Sequence, residues 1–401
     1  SIVSEPSKGT AVLDGDIVIY TPTADYAGTD TFTFKANDGN VDSETKTVSV
    51  NVFEGYFSFA RQLGADIDGE SADDGLGFSV SLNEDATIMA LGAHNNDGNG
   101  NASGHVRVYQ FINNSWTQLG ADIDGEAAND YSGSSVSLSS DGNTLAIGAY
   151  QNDGNGTNSG HVRIYRYKNS SWEQIGSDID GEASSDYLGR RGAVSLSTDG
   201  NIVAIGAYSN DGNGVDSGHV RIYNYQYGNW SQLGLDIDGE EATDSSGYSV
   251  SLSSNGKIVA IGGISNNGKG TDSGHVRVYN YNGSVWKQLG EDIDGQAIAD
   301  ELGSSISLSS NGTTVAIGAP LNDGNGNASG HVRIYNYNGT VWTQLGEDIN
   351  GEAASDQSGY SVSLSSDGKT VAIGARQNDG NGTDSGHVRI YNYNGSAWTQ
   401  L

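Results

Sequence analysis

Gly359-Tyr-Ser-Val-Ser-Leu-Ser365, Asp367-Gly368, Thr370-Val-Ala-Ile-Gly-Ala375 and Gly386-His-Val-Arg-Ile-Tyr391 follow one another near the end of the chain, and their reading decides the fold. In the first piece Tyr360, Val362 and Leu364 alternate with Ser361, Ser363 and Ser365, the period-2 pattern of a strand with one apolar face. An Asp-Gly pair between two such runs predicts a two-residue hairpin turn. After the Asn378–Asp384 loop comes a third strand, and a fourth is expected around Trp398, beyond the Asn394-Gly395 turn. Four short antiparallel strands form one unit.

The unit recurs six times. Its anchor, Ser-Gly-His-Val, stands at Ser103–Val106, Ser159–Val162, Ser217–Val220, Ser273–Val276, Ser329–Val332 and Ser385–Val388, with histidine spacings of 56, 58, 56, 56 and 56. A fixed period of this length is the signature of propellers, solenoids or arrays. The first two strands of each unit carry Ser, Gly and Ala on one face and Val, Ile, Leu or Tyr on the other. In the third, His387, Arg389 and Tyr391 oppose Val388 and Ile390. Large faces against small ones let sheets stack, and a single unit could not bury these surfaces alone. The predicted fold is all-β: a β-propeller of four-stranded blades over residues 54–401, preceded by a small β-sandwich segment over residues 1–53.

Residues 57–67 resemble a fourth strand, with Ala60 where later copies have Trp. Six sets of three strands plus this leading strand would close a six-bladed ring by strand exchange. A seventh blade beyond Leu401 would close a seven-bladed one; six is the preferred reading. The opening Ser-Ile-Val, without an initiator Met, reads as an excerpt from a longer protein. In residues 1–53, strands are expected at Thr10–Leu13, Asp16–Thr21, Asp30–Lys35 and Glu44–Val52, with turns at Asp14-Gly15, Ala27-Gly28 and Asn37-Asp38-Gly39-Asn40. Phe32 and Phe34 share one face.

Nineteen Lys+Arg against 50 Asp+Glu give a formal charge of −31. This balance argues against nucleic acid, whose phosphates need clustered Lys and Arg, and against a basic patch on anionic lipid. It suits an exported protein bathed in salt, where screening relieves self-repulsion. Without cysteine there is no disulfide framework, thiolate metal site or cysteine nucleophile. No apolar run approaches the roughly 20 residues of a membrane span, so direct membrane insertion is not expected.

The succession Gly-x-Ser-Val-Ser-Leu-Ser, Ala-Ile-Gly-Ala and Asn-Asp-Gly-Asn-Gly-x-x-Ser-Gly-His-Val-Arg resembles bacterial FG-GAP-type repeats, the propeller repeats related to the integrin α-subunit head. That resemblance implies an extracellular propeller that binds partners or contributes to adhesion. In the integrin-type repeat an Asp-x-Asp-x-Asp-Gly calcium loop joins the first two strands. Here that position holds only Ser139-Ser140-Asp141-Gly142 or Ser309-Ser310-Asn311-Gly312, so those ligands cannot be carried over. The N-terminal stretch from Ser4–Thr10 through Tyr20-Thr21-Pro22 and Tyr26–Phe32 to Asp38-Gly39 resembles the C-terminal part of cadherin-like or immunoglobulin-like tandem domains of large bacterial surface proteins.

An acidic cluster recurs between blades: Asp66, Asp68, Glu70 and Asp73; Asp122, Asp124, Glu126 and Asp130; Asp178, Asp180, Glu182 and Asp186; Asp236, Asp238, Glu240 and Asp244. Alternate acids followed by Gly can converge hard oxygens on calcium, the one cofactor the pattern admits. The competing reading pairs these acids with Arg107, Arg163, Arg221, Arg277, Arg333 and Arg389, since an unpaired buried charge is expensive. Gln296 and Asn350 replace acids in the last two copies. The Asn-Asp-Gly-Asn-Gly loops read as turns, because the fourth copy is Asn266-Asn267-Gly268-Lys269-Gly270. The repeated His and the Trp of each fourth strand read as packing.

The third copy alone inserts two residues, with Arg190-Arg191 at a blade entrance, where propellers present binding loops. They are the candidate partner contact. No nucleophile–base arrangement or phosphate loop is visible, so no enzyme is expected. The primary expectation is a non-catalytic binding or adhesion module at the surface of a bacterial cell, its partner a protein or glycan on another cell. The alternatives are a structural segment that contacts neighbouring subunits of a filament or shaft, and a lectin-like, glycan-binding propeller.

Overall fold

A computed structural model describes residues 1–401 except 15–16, 24–25, 27, 38, 40 and 53–61. The chain forms two compact units, Ser1–Gln62 and Leu63–Leu401. The expected boundary at 53/54 and residues 57–61 of the leading fourth strand, Ala60 included, lie outside the described residues, as do Gly15, Asp16, Ala27, Asp38 and Asn40 of the N-terminal strands and turns.

In the first unit Gly28–Phe34 pairs with Ile2–Ser4 and Lys46–Val52, while Gly9–Asp14 and Ile17–Pro22 form a separate hairpin. Phe32 is buried and Phe34 partly so. Buried Asp30 ties the hairpin region to this sheet. Burial opposes its charge, but the N–H groups of Lys8, Thr31 and Ser7 and the Tyr20 hydroxyl hold its carboxyl at about 2.

The second unit contains six antiparallel sheets and no helix among the described residues. In the second blade Ser132–Leu138, Thr144–Ala149, His161–Lys168 and Ser171–Gln174 pair in chain order. A two-residue strand, Ile179–Asp180, then pairs with the His161 end of the third strand. Five of the six blades carry this addition, which the repeat had not revealed. The six innermost strands all border one axial cavity, so the blades are arranged radially.

Blades stack as the small and large faces require. The Val and Ile of each third strand meet the large residues of the next blade: Val162, Ile164 and Ala146 lie against Val194, Leu196, Val203 and Ile205. Each fully buried side chain of this kind contributes roughly 1.5–3 kcal/mol. The serines are directional fasteners. Ser81, Ser137, Ser195, Ser251 and Ser307 each accept, through Oγ, the backbone N–H of a leucine in the next blade at 2.9–3.0 Å.

The first and sixth blades are exceptions. Val80 is 53% exposed where its counterpart Val136 is 8%, and Val388 is 67% exposed where Val332 is 0%. Among the described residues no sheet joins these two blades, and residues 57–61 of the leading strand proposed to close the ring lie outside them. The face of the sixth blade (Val388, Ile390) and that of the first (Val80, Leu82) are the two kinds that meet at the inner junctions.

Candidate functional site

Two kinds of place concentrate charge. At each blade junction the acids of one copy do not converge on one another; each takes a separate task. Asp122 accepts Gln118 Nε2 and lies 3.8 Å from His105 Nδ1. Asp124 offers its backbone carbonyl to Arg163 at 2.7 Å. Glu126 lies 3.4 Å from Arg163 and 3.8 Å from His161. Asp130 is buried and accepts the Ala127 N–H and Asn152 Nδ2. The pattern repeats with Asp178, Asp180, Glu182 and Asp186, and with Asp236, Asp238, Glu240 and Asp244. In the first copy Asp68 and Glu70 serve Arg107, but the buried capping acid is Asp74. Asp73 is an exposed residue at φ 67°, the position of Asn129 and Ser185. Asp73 therefore leaves the candidate set, and Asp66 is exposed.

What does converge is a trio built across copies: Glu70, His105 and Asp122; Glu126, His161 and Asp178; Glu182, His219 and Asp236; Glu240, His275 and Asp292. In each, one ligand atom per residue lies within 4.8 Å of the others. Asp292 was missed because it lies in the fifth acidic cluster, set aside for its Gln296 in place of Glu, and the histidines because they read as strand packing. Burial and the neighbouring arginine push His161 and His219 down to about 4, so these imidazoles are neutral at pH 7. Neutral imidazole and carboxylates are metal-competent donors, yet each trio's glutamate already faces an arginine.

The Asn-Asp-Gly-Asn-Gly loops are turns. Asn96 Oδ1 accepts the Gly98 N–H and Asp97 Oδ1 the Ala102 N–H. In the fourth copy Asn267 Oδ1 accepts the Asp272 N–H as the aspartates do, and Lys269 lies 3.5 Å from Asp294. Each fourth-strand Trp donates Nε1–H to the carbonyl leading into its own blade, as Trp172 does to Leu119 at 2.8 Å.

The second place is the axial cavity, about 860 Å³, lined by the inner strands and extending to Gly374 and Val388 of the sixth blade. The third-copy insertion shortens its inner strand to Val194–Leu196, and Arg190 and Arg191 line the cavity at the resulting turn. Arg190 stands over Tyr208 and Tyr248, at 5.1 and 4.8 Å. Arg191 stands over Phe78 and Tyr360, at 5.3 and 4.3 Å, reaching both the first and the sixth blade. Arg376, which the sequence had not singled out, lies 4.0 Å from the Tyr360 ring centre.

A row of rings runs from the first blade to the fourth: Phe78, His94, Tyr131, Tyr150, Tyr187, Tyr208 and Tyr248, with successive centroids 3.8–6.3 Å apart. Burial and Arg191 together push the His94 imidazole down, so it joins the row as a neutral ring. Tyr131 and Tyr187 sit at φ 54° and 52°, in the left-handed region, where the first copy has Gly75. A bulky residue there costs on the order of 1 kcal/mol. The row draws on three positions of the repeat, one holding His94, Tyr150 and Tyr208, one Tyr131 and Tyr187, and one Phe78 and Tyr248, and only the fold brings those positions side by side.

Residues 1–51 match the model of the bacterial Ig domain family, and residues 122–165 and 350–391 match that of the FG-GAP repeat. No curated protein matches the chain. Among solved structures, the periplasmic gluconolactonase of Pseudomonas aeruginosa is similar at 16% identity, covering 80% of this chain and 84% of its own, with TM-score 0.53. A Bacteroides uniformis protein assigned as a 6-phosphogluconolactonase is similar at 14% identity, covering 81% and 84%, with TM-score 0.55. Kuenenia stuttgartiensis hydrazine synthase is similar at 11% identity, covering 82% and 79%, with TM-score 0.51. At such identities the likeness concerns the fold alone. The chain thus joins a bacterial Ig domain to FG-GAP repeats, and the repeats are the blades of a β-propeller.

Proposed function

We propose that this chain is a non-catalytic binding and adhesion module at the surface of a bacterial cell, and that it engages its partner through the axial cavity at Arg190 and Arg191. Bacterial Ig domains and FG-GAP repeats are typical of extracellular proteins, which supports the location. The observation that carries the reading is the lack of carboxylate partners. Among the described residues neither arginine has an acid within ion-pair distance, whereas Arg107, Arg163, Arg221, Arg277 and Arg389 all do. In a chain of charge −31, two partly buried cations left to aromatic faces are positioned for something from outside. The only acid on the described cavity wall is Glu301, which gives no carboxylate pair for acid–base work.

Labelled protein is expected to bind saturably to at least one cell type in a panel of microbial and animal cells. Replacing Arg190 and Arg191 together by Ala is expected to weaken that binding by at least about tenfold, the loss of one charge-assisted contact. Binding to no cell, or binding untouched by the double replacement, removes the proposal.

A structural role in a filament draws support from the exposed Val80, Leu82, Val388 and Ile390, a complementary pair of faces that another copy could cover. Calcium belongs to the proposal only through the carboxylate oxygens of the junction acids, because a hard cation takes oxygen ligands and not the trio's imidazole. Calcium titrated into chelator-treated protein, with melting followed in parallel, tests it: heat with a raised melting temperature supports the metal. Neither response leaves the ion pairs as the whole role of these acids.

A further inference from the structure

We infer that the axial cavity receives the terminal residue of a glycan, a sugar ring carrying a single negative charge as a carboxylate or a sulfate. This rests on the reading of the cavity as the binding site and names the ligand class. Three guanidiniums border the cavity, Arg190, Arg191 and Arg376, and none has an ion-pair partner among the described residues. Arg191 and Arg376 lie within 4.3 Å of the centre of one ring, Tyr360. Two like charges share that ring with no acid between them, an arrangement that an anion relieves. Stacking occupies the planes of the guanidiniums and leaves N–H edges for an oxyanion, which a planar fork can grip through two parallel bonds. One donor is already engaged: Arg376 Nε donates to Gln357 Oε1 at 2.6 Å.

The rest of the wall points to a sugar. Phe78, Tyr150, Tyr248 and Tyr360 share the wall with the partly exposed Ser79 and Ser305. Both hydroxyls donate to carbonyls of the next blade, Ser79 to Gly133 at 2.7 Å and Ser305 to Gly359 at 2.8 Å, and so keep lone pairs that can accept from ligand hydroxyls. A pyranose offers an apolar face to aromatic rings and hydroxyls at its edge, and this wall offers the complement of both. Tyr131 and Tyr187 hold aromatic rings beside Tyr150, which lines the cavity, despite a left-handed backbone that Gly75 shows could be met without one. The protein's charge of −31 sets the ligand's charge. A densely charged polymer would be repelled at long range, whereas one terminal acid entering a local cationic site is not.

A glycan array read with the full chain, followed by calorimetry, tests this. It compares glycans ending in a sialic or uronic acid, glycans ending in a sulfated sugar, their neutral counterparts, heparin and polyglutamate. Acid- or sulfate-terminated glycans are expected to bind at least about tenfold more tightly than the neutral counterparts, and the two arms name the anion. That preference is expected to vanish in R190A/R191A and to weaken in R376A, an exposed position where folding is undisturbed. Equal binding of neutral glycans, equal or tighter binding of heparin or polyglutamate, or no glycan binding overturns the inference. If no glycan binds while R190A/R191A still abolishes cell binding, the ligand class falls and the cavity's role as binding site stands.

Discussion

Gly206→Ala will destabilise the propeller by about 4 kcal/mol or more, whereas Gly374→Ala, at the equivalent position of the sixth blade, will cost about 1 kcal/mol or less. Both glycines stand in the Ala-Ile-Gly-Ala run of a second strand. A methyl group on Gly206 would overlap the backbone carbonyl of Gly247 in the next blade, and neither main chain can yield without parting the two sheets. Gly92, Gly148 and Gly318 face the following blade in the same way, against Gly133, Gly189 and Gly359. A methyl on Gly374 would meet only Ser361 Oγ of its own blade, and that hydroxyl can rotate away. Urea denaturation of the two variants decides the matter. Equal losses would mean that the close approach of neighbouring blades does not hold the unit together.

Acid will loosen the propeller between pH 6.5 and 5, before most carboxylates titrate. His161, His219 and His331 are pushed down to about 4 by burial, helped by Arg163, Arg221 and Arg333, from an ordinary value of 6.5. An imidazole of this kind takes its proton first in the unfolded chain. Its contribution is therefore complete above pH 6.5 and declines as pH falls toward 4, by on the order of 2–3 kcal/mol for each histidine. Asp178, Asp236 and Asp348 pull the other way but do not overcome burial. Glu126 and Glu240, whose carboxyls desolvation pushes up, gain protons more readily when folded and offset part of the loss as pH falls. The urea midpoint is expected to fall from pH 7.5 to pH 5.5, and replacing the three histidines by Gln should flatten that slope. A midpoint that held steady or rose on acidification would contradict the burial assigned to these rings.

The recurring Gly of Ala-Ile-Gly-Ala and the alternating Ser of Ser-Val-Ser-Leu-Ser show how much of the architecture lies in the repeat. Strand period, hairpin turns and the division into small and large faces are local properties, set by side-chain alternation and by Asp-Gly turns. Stacked blades follow from them because those faces have no other way to leave water. The pairing of junction arginines with glutamates was legible for the same reason, since a charge in a buried strand needs a partner. Arg190 and Arg191 were visible as a departure from the period.

Other features depend on contacts between positions far apart within and between repeats, which the period does not show. Which acid meets which histidine was hidden, because His161 starts a strand while Glu126 and Asp178 come from two different connecting segments. Tyr131 and Tyr187 share one position of the repeat, and Tyr150, Tyr208 and Arg376 another, but only the crowding of inner strands at the axis brings the two positions together. Closure was also beyond local pattern. The faces of the first and sixth blades carry the residues for one more junction, but whether they meet depends on the angle accumulated over five junctions. Local alternation determined what each blade is, and the three-dimensional packing alone decided what the blades bring together, because contacts across an axis are set by cumulative geometry and not by neighbours in sequence.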